Sequence, residues 1–255
     1  MNMPQLPRYL FSLALLLGCA GLAAAEQVTL YTHYGSAPFA VDEQPASSYS
    51  VRLAAWLTAQ SAGRYQFVAR QLPKLRLERL LARDDWSGVV AWGNPAWFGD
   101  PQRQRFLWSR GLMRDSDLLV SRQTERVSQA ALDAGPPRRF GGIIGHRYAA
   151  LERYLQSGQL LREDAQTEVS NARKLRHGRV DVLLVQASSL PYLRVQFEDF
   201  EQWAYVDKPP LVQFERYLFT SRGNGRLMAF LDQALLKLEQ APEWRELMQP
   251  EGASR

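Results

Sequence analysis

The strongest constraint on this chain is the order of its hydrophobic patterns. Short β-rich runs alternate with stretches of helical periodicity, and the alternation restarts near residue 138, after Gly135-Pro136-Pro137. Strands are read over 27–31, 65–70, 88–92, 118–121, 140–144, 180–185 and 216–220. Helices are read over 49–60, 75–82, 149–157, 171–177 and 225–239, with Gly178 placed to cap one of them. Alternation of this kind predicts an α/β architecture with largely parallel sheets, in two lobes of similar size. No repeat of solenoid period is present.

Composition narrows the class. The 255 residues are 46% hydrophobic and 22% charged, which excludes a mainly disordered chain, a collagen and a disulfide scaffold. The net charge is +5, but acids interrupt the basic residues, as in Arg76-Leu77-Glu78-Arg79. Nucleic-acid binding needs a concentrated basic stripe and is not expected.

The first 25 residues read as a signal peptide. Arg8 is the positive start, 10–17 is the apolar run, and Ala23-Ala24-Ala25 fits the cleavage pattern. Cleavage after Ala25 leaves an exported chain of charge +4, expected in the periplasm. Cys19, the only cysteine, lies in Leu16-Leu17-Gly18-Cys19, so a lipid anchor through Cys19 is the alternative. The folded part has no thiol and needs no disulfide.

Catalytic signatures are absent. There is no G-x-S-x-G, H-E-x-x-H or P-loop. His33, His146 and His177 lack metal-ligand spacing and read as surface or hydrogen-bonded histidines. No metal, cofactor or catalytic residue is expected.

Four stretches carry a family resemblance. Leu30 to Phe39 looks like an opening strand followed by a proline–phenylalanine turn. Leu80 to Ala91 looks like a helix and buried strand entering a ligand loop. Pro101 to Ser109 looks like an arginine-bearing segment ending in an aromatic–serine step, and Gly178 to Val185 follows a G-x-x-D pattern into an apolar strand. Together these resemble the extracellular solute-binding proteins of family 3, the polar amino-acid transport type. The resemblance implies a type II periplasmic binding fold with a ligand cleft between two lobes. Lobe 1 would hold 26–115 and 213–255, lobe 2 would hold 118–210, and hinges would cross near 116–119 and 209–213.

The resemblance also implies a site. Arg103 is the best match to the family's carboxylate-binding arginine, with Arg105 as its rival. Gly145-His146-Arg147-Tyr148 follows a strand and opens a helix, where free N–H groups suit an anion, so His146 and Arg147 are candidates from lobe 2. Tyr34, Phe39, Trp92 and Trp97 could form aromatic walls, with Gly93 and Asn94 in the loop after the buried strand. At the position where the family usually places an acid for the ligand's ammonium, this chain has Gln186. An ordinary α-amino acid is therefore in doubt.

The reading that follows is a periplasmic receptor for a small polar, carboxylate-bearing ligand. It would act as a monomer that serves an ABC permease or a membrane sensor. Two alternatives stand beside it: an envelope interaction protein with a degenerate site, and a periplasmic dehydratase on the same fold.

Overall fold

The computed structural model describes residues 24–41, 48–242 and 244. The leader through Ala23, with Cys19, lies outside the described residues, as do 245–255.

The elements follow in chain order. They are β1 (Glu26–Thr32), α1 (Tyr49–Gln60), β2 (Tyr65–Gln71), α2 (Lys74–Leu81), β3 (Val89–Gly93) and β4 (Leu107–Arg122). Next come α3 (Gln129–Ala134), β5 (Arg138–Ile143), α4 (Glu152–Gln156), β6 (Leu160–Ala165), α5 (Glu168–Arg176) and β7 (Val182–Gln186). The chain continues through α6 (Leu190–Gln196), α7 (Phe200–Trp203), β8 (Ala204–Val206), β9 (Val212–Thr220) and α8 (Gly225–Gln240).

Local chemistry sets the element ends. The Ser48 hydroxyl accepts from the Val51 N–H and starts α1, and Thr167 accepts from Ser170 to start α5. Gly178, at φ +66°, follows the end of α5, where a side chain would be strained. Helix α8 turns Leu227, Leu231, Ala234, Leu235 and Leu238 inward, the spacing of one apolar face. Strand β3 is buried along its whole length, which accounts for its unbroken apolar sequence.

The strands form one sheet in the order β2-β1-β3-β9-β4-β7-β5-β6, with β8 also paired to β4. The outer pairs β1/β2, β1/β3, β5/β6 and β5/β7 are parallel, as the alternation predicts. The central pairs β3/β9, β4/β9, β4/β7 and β4/β8 are antiparallel. That corrects the expectation of largely parallel sheets. The cause is a return path: β4 leaves the first half of the molecule, and β9 runs back beside it. The strand read at 118–121 is the last third of the 16-residue β4.

Apolar side chains gather on either side of this crossing. One set of cores draws on Val28 through Leu112 and Leu218 through Leu238. The other draws on Leu118 through Leu211. No helix among the described residues is long and apolar enough to cross a membrane.

Candidate functional site

The ends of β1, β5, β6 and β7 meet at a seam between the two sets of cores. His33 and Tyr34 follow β1, and His146 follows β5. The His33 and His146 rings lie 5.1 Å apart and the Tyr34 and His146 rings 5.9 Å apart, in edge-on contacts. Gly145, at φ +78°, comes so close to α2 that an added Cβ would sit 3.0 Å from Leu75 Cγ. The two sides are therefore in contact there: although an open pocket of about 930 Å³ lies along Tyr49, Asp115, Ser188 and Phe214, the two cavities beside the contact measure about 20 and 30 Å³. Space of that size holds one or two waters; small-molecule pockets are about tenfold larger.

The larger cavity is lined by His33, Tyr34, Lys74, Trp97, Asp117 and Gln186, with Arg147 and Tyr148 across from them. The smaller one is lined by Tyr34, Ser36, His146, Thr167, Glu168 and Ser189. Tyr34 and His146 border both, so the cavities belong to one seam.

At its floor, where β4 and β9 pair, lies a buried ionic knot. Arg216 is 0% exposed. Its Nε and Nη2 donate to Asp115 Oδ2 at 2.9 and 2.7 Å, and its Nη1 donates to the Tyr34 hydroxyl at 2.7 Å and the Trp92 carbonyl at 3.2 Å. Phe39, Trp97 and Phe214 put ring faces against the guanidinium. Asp115 also accepts from the Ser188 hydroxyl at 2.6 Å and from the Ser188 N–H at 3.2 Å. The knot thus ties β1, β3, β4 and β9 to the loop after β7.

The rest of the seam is poorly satisfied. Burial pushes Asp117 up to about 7, with Asp115 adding and Arg216 opposing. Burial raises Glu168 to about 7 as well, against a hydrogen bond from Ser189. Burial and then the nearby Lys74 hold His33 well below the usual imidazole range and bring His146 down to about 3. Lys74 falls to about 8, again by burial, with Glu78 opposing at 3.6 Å. His33 Nδ1 and Gln186 Oε1 are buried without hydrogen-bond partners. No group of three or more metal-ligating side chains occurs among the described residues.

The residues singled out from sequence divide between the seam and other places. Tyr34, His146, Arg147 and Gln186 line it. Phe39 and Trp92 are 0% exposed and packed in the first core, where the Trp92 indole N–H donates to Ser50 Oγ at 2.9 Å. They are core rather than cleft wall, because β3 is covered on both faces. Gly93 lies beneath the Phe219 ring, and a Cβ there would approach it to 2.9 Å. Asn94 caps the short turn Pro95–Phe98 and donates to the Glu215 carbonyl, so its amide is spent on local structure. Arg103 is exposed, at φ +54°, with its guanidinium 4.4 Å from the Tyr217 ring centroid, and it does not line the seam. The Gly145–Tyr148 turn opens only a three-residue 3₁₀ turn, and its His146 N–H is used by the Ile143 carbonyl. That takes up one of the N–H groups expected of an anion site there.

Sequence reasoning passed over Lys74, Asp115, Asp117, Glu168 and Arg216, and its reading of His33 as a surface or hydrogen-bonded histidine is corrected: His33 is buried, with Nδ1 unpartnered. The available signal was a charged residue at the edge of an apolar strand, as at Asp117 before 118–121 and Arg216 at the start of 216–220. Asp181, the acid of the G-x-x-D pattern, forms a two-point ion pair with Arg139 and accepts its N–H.

No protein-family model matches the sequence, and no curated protein is significantly similar to it. Solved structures are similar in fold. A GluR0 ligand-binding core from Nostoc punctiforme, in complex with L-glutamate, is 13% identical at a TM-score of 0.68, covering 86% of this chain and 96% of that one. An ancestral arginine-binding protein bound to arginine is 11% identical at 0.69, covering 88% and 97%. An ancestral amino-acid-binding protein, a precursor of cyclohexadienyl dehydratase, is 12% identical at 0.66, covering 87% and 93%. Likeness over this length with so little identity speaks to architecture. The chain has the two-lobed α/β fold of the amino-acid-binding periplasmic proteins.

Proposed function

We propose that the chain is an exported solute-binding receptor whose lobes close on a small polar ligand. The lobes are 26–115 with 213–255 and 118–210, hinged at 116–119 and 209–213. The split of apolar cores between residues 113 and 118, and again between 211 and 218, supports those boundaries. One observation carries the reading: the interlobe seam buries polar atoms without partners, His33 Nδ1 and Gln186 Oε1. Each such orphan costs about 1–3 kcal/mol, and these two line one cavity together, unlike the orphans Asn171 Oδ1 and Trp203 Nε1 elsewhere. A ligand that bonds them would shift the population toward closure. The receptor would pass its ligand to an ABC permease or report it to a membrane sensor. The leader at 1–25 would place it in the periplasm.

A ligand carboxylate held by Arg103 finds no support in the geometry, and the buried Arg216 is already neutralised by Asp115. That same knot favours a second reading, an interaction module that closes without any ligand. A single experiment separates binder from empty module. Protein purified from its native compartment is denatured, and the released small molecules are identified by mass spectrometry. The refolded protein is then melted against them. A molecule released in stoichiometric amount that restores the melting temperature supports the receptor. An empty protein that no amino acid, amine or organic acid stabilises leaves the interaction module.

A further inference from the structure

One side chain divides the seam. Tyr34 from the first lobe and His146 from the second are the two residues that border both small cavities, so the His146 ring stands between them. The open pocket along Tyr49 and Phe214 shares no lining residue with either. The imidazole is half-buried and rests on rings of the opposite lobe, His33 at 5.1 Å and Tyr34 at 5.9 Å. Behind it, the His33 ring meets Phe98 edge-on at 5.6 Å. Under this cover His33 and Tyr34 are each 6% exposed. Burial, then Lys74, Arg162 and Arg216, keep the His146 ring uncharged, so it enters the seam as a flat neutral group.

The turn that carries this ring is braced within its own lobe. The Ile143 carbonyl accepts from the His146 N–H at 3.0 Å and from Arg162 Nη2 at 2.9 Å. The Ile143 N–H donates to the Tyr148 hydroxyl at 2.7 Å, and the Tyr148 ring packs edge-on against Phe140 at 4.8 Å. Gly145, one residue earlier, has no Cβ to hold the turn away from Leu75 of α2. The ring is thus presented by a fixed turn of one lobe and received by side chains of the other.

We propose that His146 is an internal occupant of the cleft: its ring fills a seat shaped for a flat uncharged group, holds the lobes together without a ligand, and must withdraw before a ligand enters. The competition with a ligand rests on the receptor reading above. A plug of this kind lowers the apparent affinity by the fraction of molecules in which the seat is free. The receptor would then respond only above a threshold set by the strength of its own lobe contact. A seat emptied by truncation is also open to a small molecule of the lost shape.

The test uses the mature chain, which has no cysteine from residue 26 on, with spin labels at Arg79→Cys and Glu163→Cys, exposed positions on α2 and β6. His146→Ala removes the ring, and imidazole at pH 8.5 is the probe. The variant is expected to show a longer label distance than the parent, and imidazole to restore the shorter one. Imidazole should also raise the variant's melting temperature by roughly 3–6 °C at about ten times its Kd, and leave the parent unmoved. Pyrrolidine, a cation at that pH, should do neither. His146→Phe keeps a flat uncharged ring, with the adjoining cavities to take the extra atom, and should hold the parent distance without imidazole. If His146→Ala fails to fold, His146→Phe decides: the parent distance supports the plug and an opened pair of lobes overturns it. A folded His146→Ala that keeps the parent distance and ignores imidazole overturns the proposal, as does closure by pyrrolidine and imidazole alike. L-glutamate, L-arginine, 1,4-diaminobutane and succinate are then titrated into parent and His146→Ala. Binding at least about tenfold tighter in the variant supports the competition. Equal or weaker binding overturns it and leaves the receptor reading standing. If neither protein binds any of the four while imidazole re-closes the variant, the receptor reading falls and the plug stands as a lock between the lobes.

Discussion

Two polar regions are buried a few residues apart on the same crossing strand, and they differ in completeness. At Asp115 every lone pair and N–H that matters is used: Arg216, Tyr34, Ser188 and the Trp92 carbonyl close on one another. At Asp117, two residues on and facing the same side of β4, the acid is unpaired, and Gln186 and His33 nearby hold orphaned atoms. The first region acts as structure, because a satisfied buried network resists opening. The second is where partners are missing.

Breaking the complete region should have the largest effect. Asp115→Ala leaves a fully buried guanidinium without its counter-charge and is expected to cost about 3–5 kcal/mol in denaturant unfolding. Adding Arg216→Met should recover much of that loss, because the charge pair and its desolvation leave together. If the double variant were as unstable as the single one, the knot would matter through packing rather than charge.

Removing an unpaired acid should act in the opposite direction. Asp117 stands at about 7 in the fold against 3.8 when free, so the folded chain holds the extra proton between those values. Its contribution to stability is full below about 4 and is lost as pH rises through 7. Asp117→Asn should therefore gain up to a few kcal/mol at pH 8 and little at pH 4. Melting curves across that range check both ends. The histidines carry the reverse sign. His146 stands near 3, so its contribution is present above 6.5 and is lost as pH falls below that value. His146→Gln should keep more of its melting temperature between pH 6.5 and 4 than the parent does. An unchanged acid slope would place His146 in contact with water.

A smaller effect is expected at a bond that joins the complete region to the core. Ser50 Oγ accepts from the Trp92 indole and donates to the Phe39 carbonyl at 2.6 Å. Ser50→Ala orphans both groups and should cost about 1–3 kcal/mol in the same unfolding assay. The smallest belongs to Arg103→Ala. An exposed guanidinium stacked on Tyr217 contributes about 0.5–1 kcal/mol, and any ligand affinity should be unchanged in calorimetry. A large loss of affinity would return Arg103 to the site.

Much of the frame was legible because its signals are local. Helix α1 spans the expected 49–60, bounded by a serine cap and an apolar face. Of the parallel outer strands, β3, β5 and β7 announced themselves as apolar runs beside glycines, and β1 and β2 as β-rich or alternating runs. The central strands were legible only in part. Most of β4 is a mixed sequence, Leu107 to Asp117, whose strand character comes from pairing with β9 rather than from its own residues. The short elements α3, β6, α6, α7 and β8 went unread, since a few residues do not set a period.

The site was legible to a lesser degree, and the reason is sequence separation. Arg216 meets Asp115 across 101 positions and Tyr34 across 182. His33 meets His146 only because β1 and β5 end at the same seam. Arginine beside an aromatic–serine step was a reasonable sign at Arg103, yet a left-handed backbone turns that residue to the surface.

By itself, then, the order of apolar runs, glycine breaks and caps determined an α/β chain with two cores, since those preferences act within a few residues. Whether an arginine is free to hold a ligand or is occupied by a neighbour's carboxylate was decided only by the tertiary structure. Burial and charge compensation are properties of the assembled neighbourhood. The register of β4 against β9 places Asp115 under Arg216, and its register against β7 leaves Asp117 beside Gln186 without an ion pair.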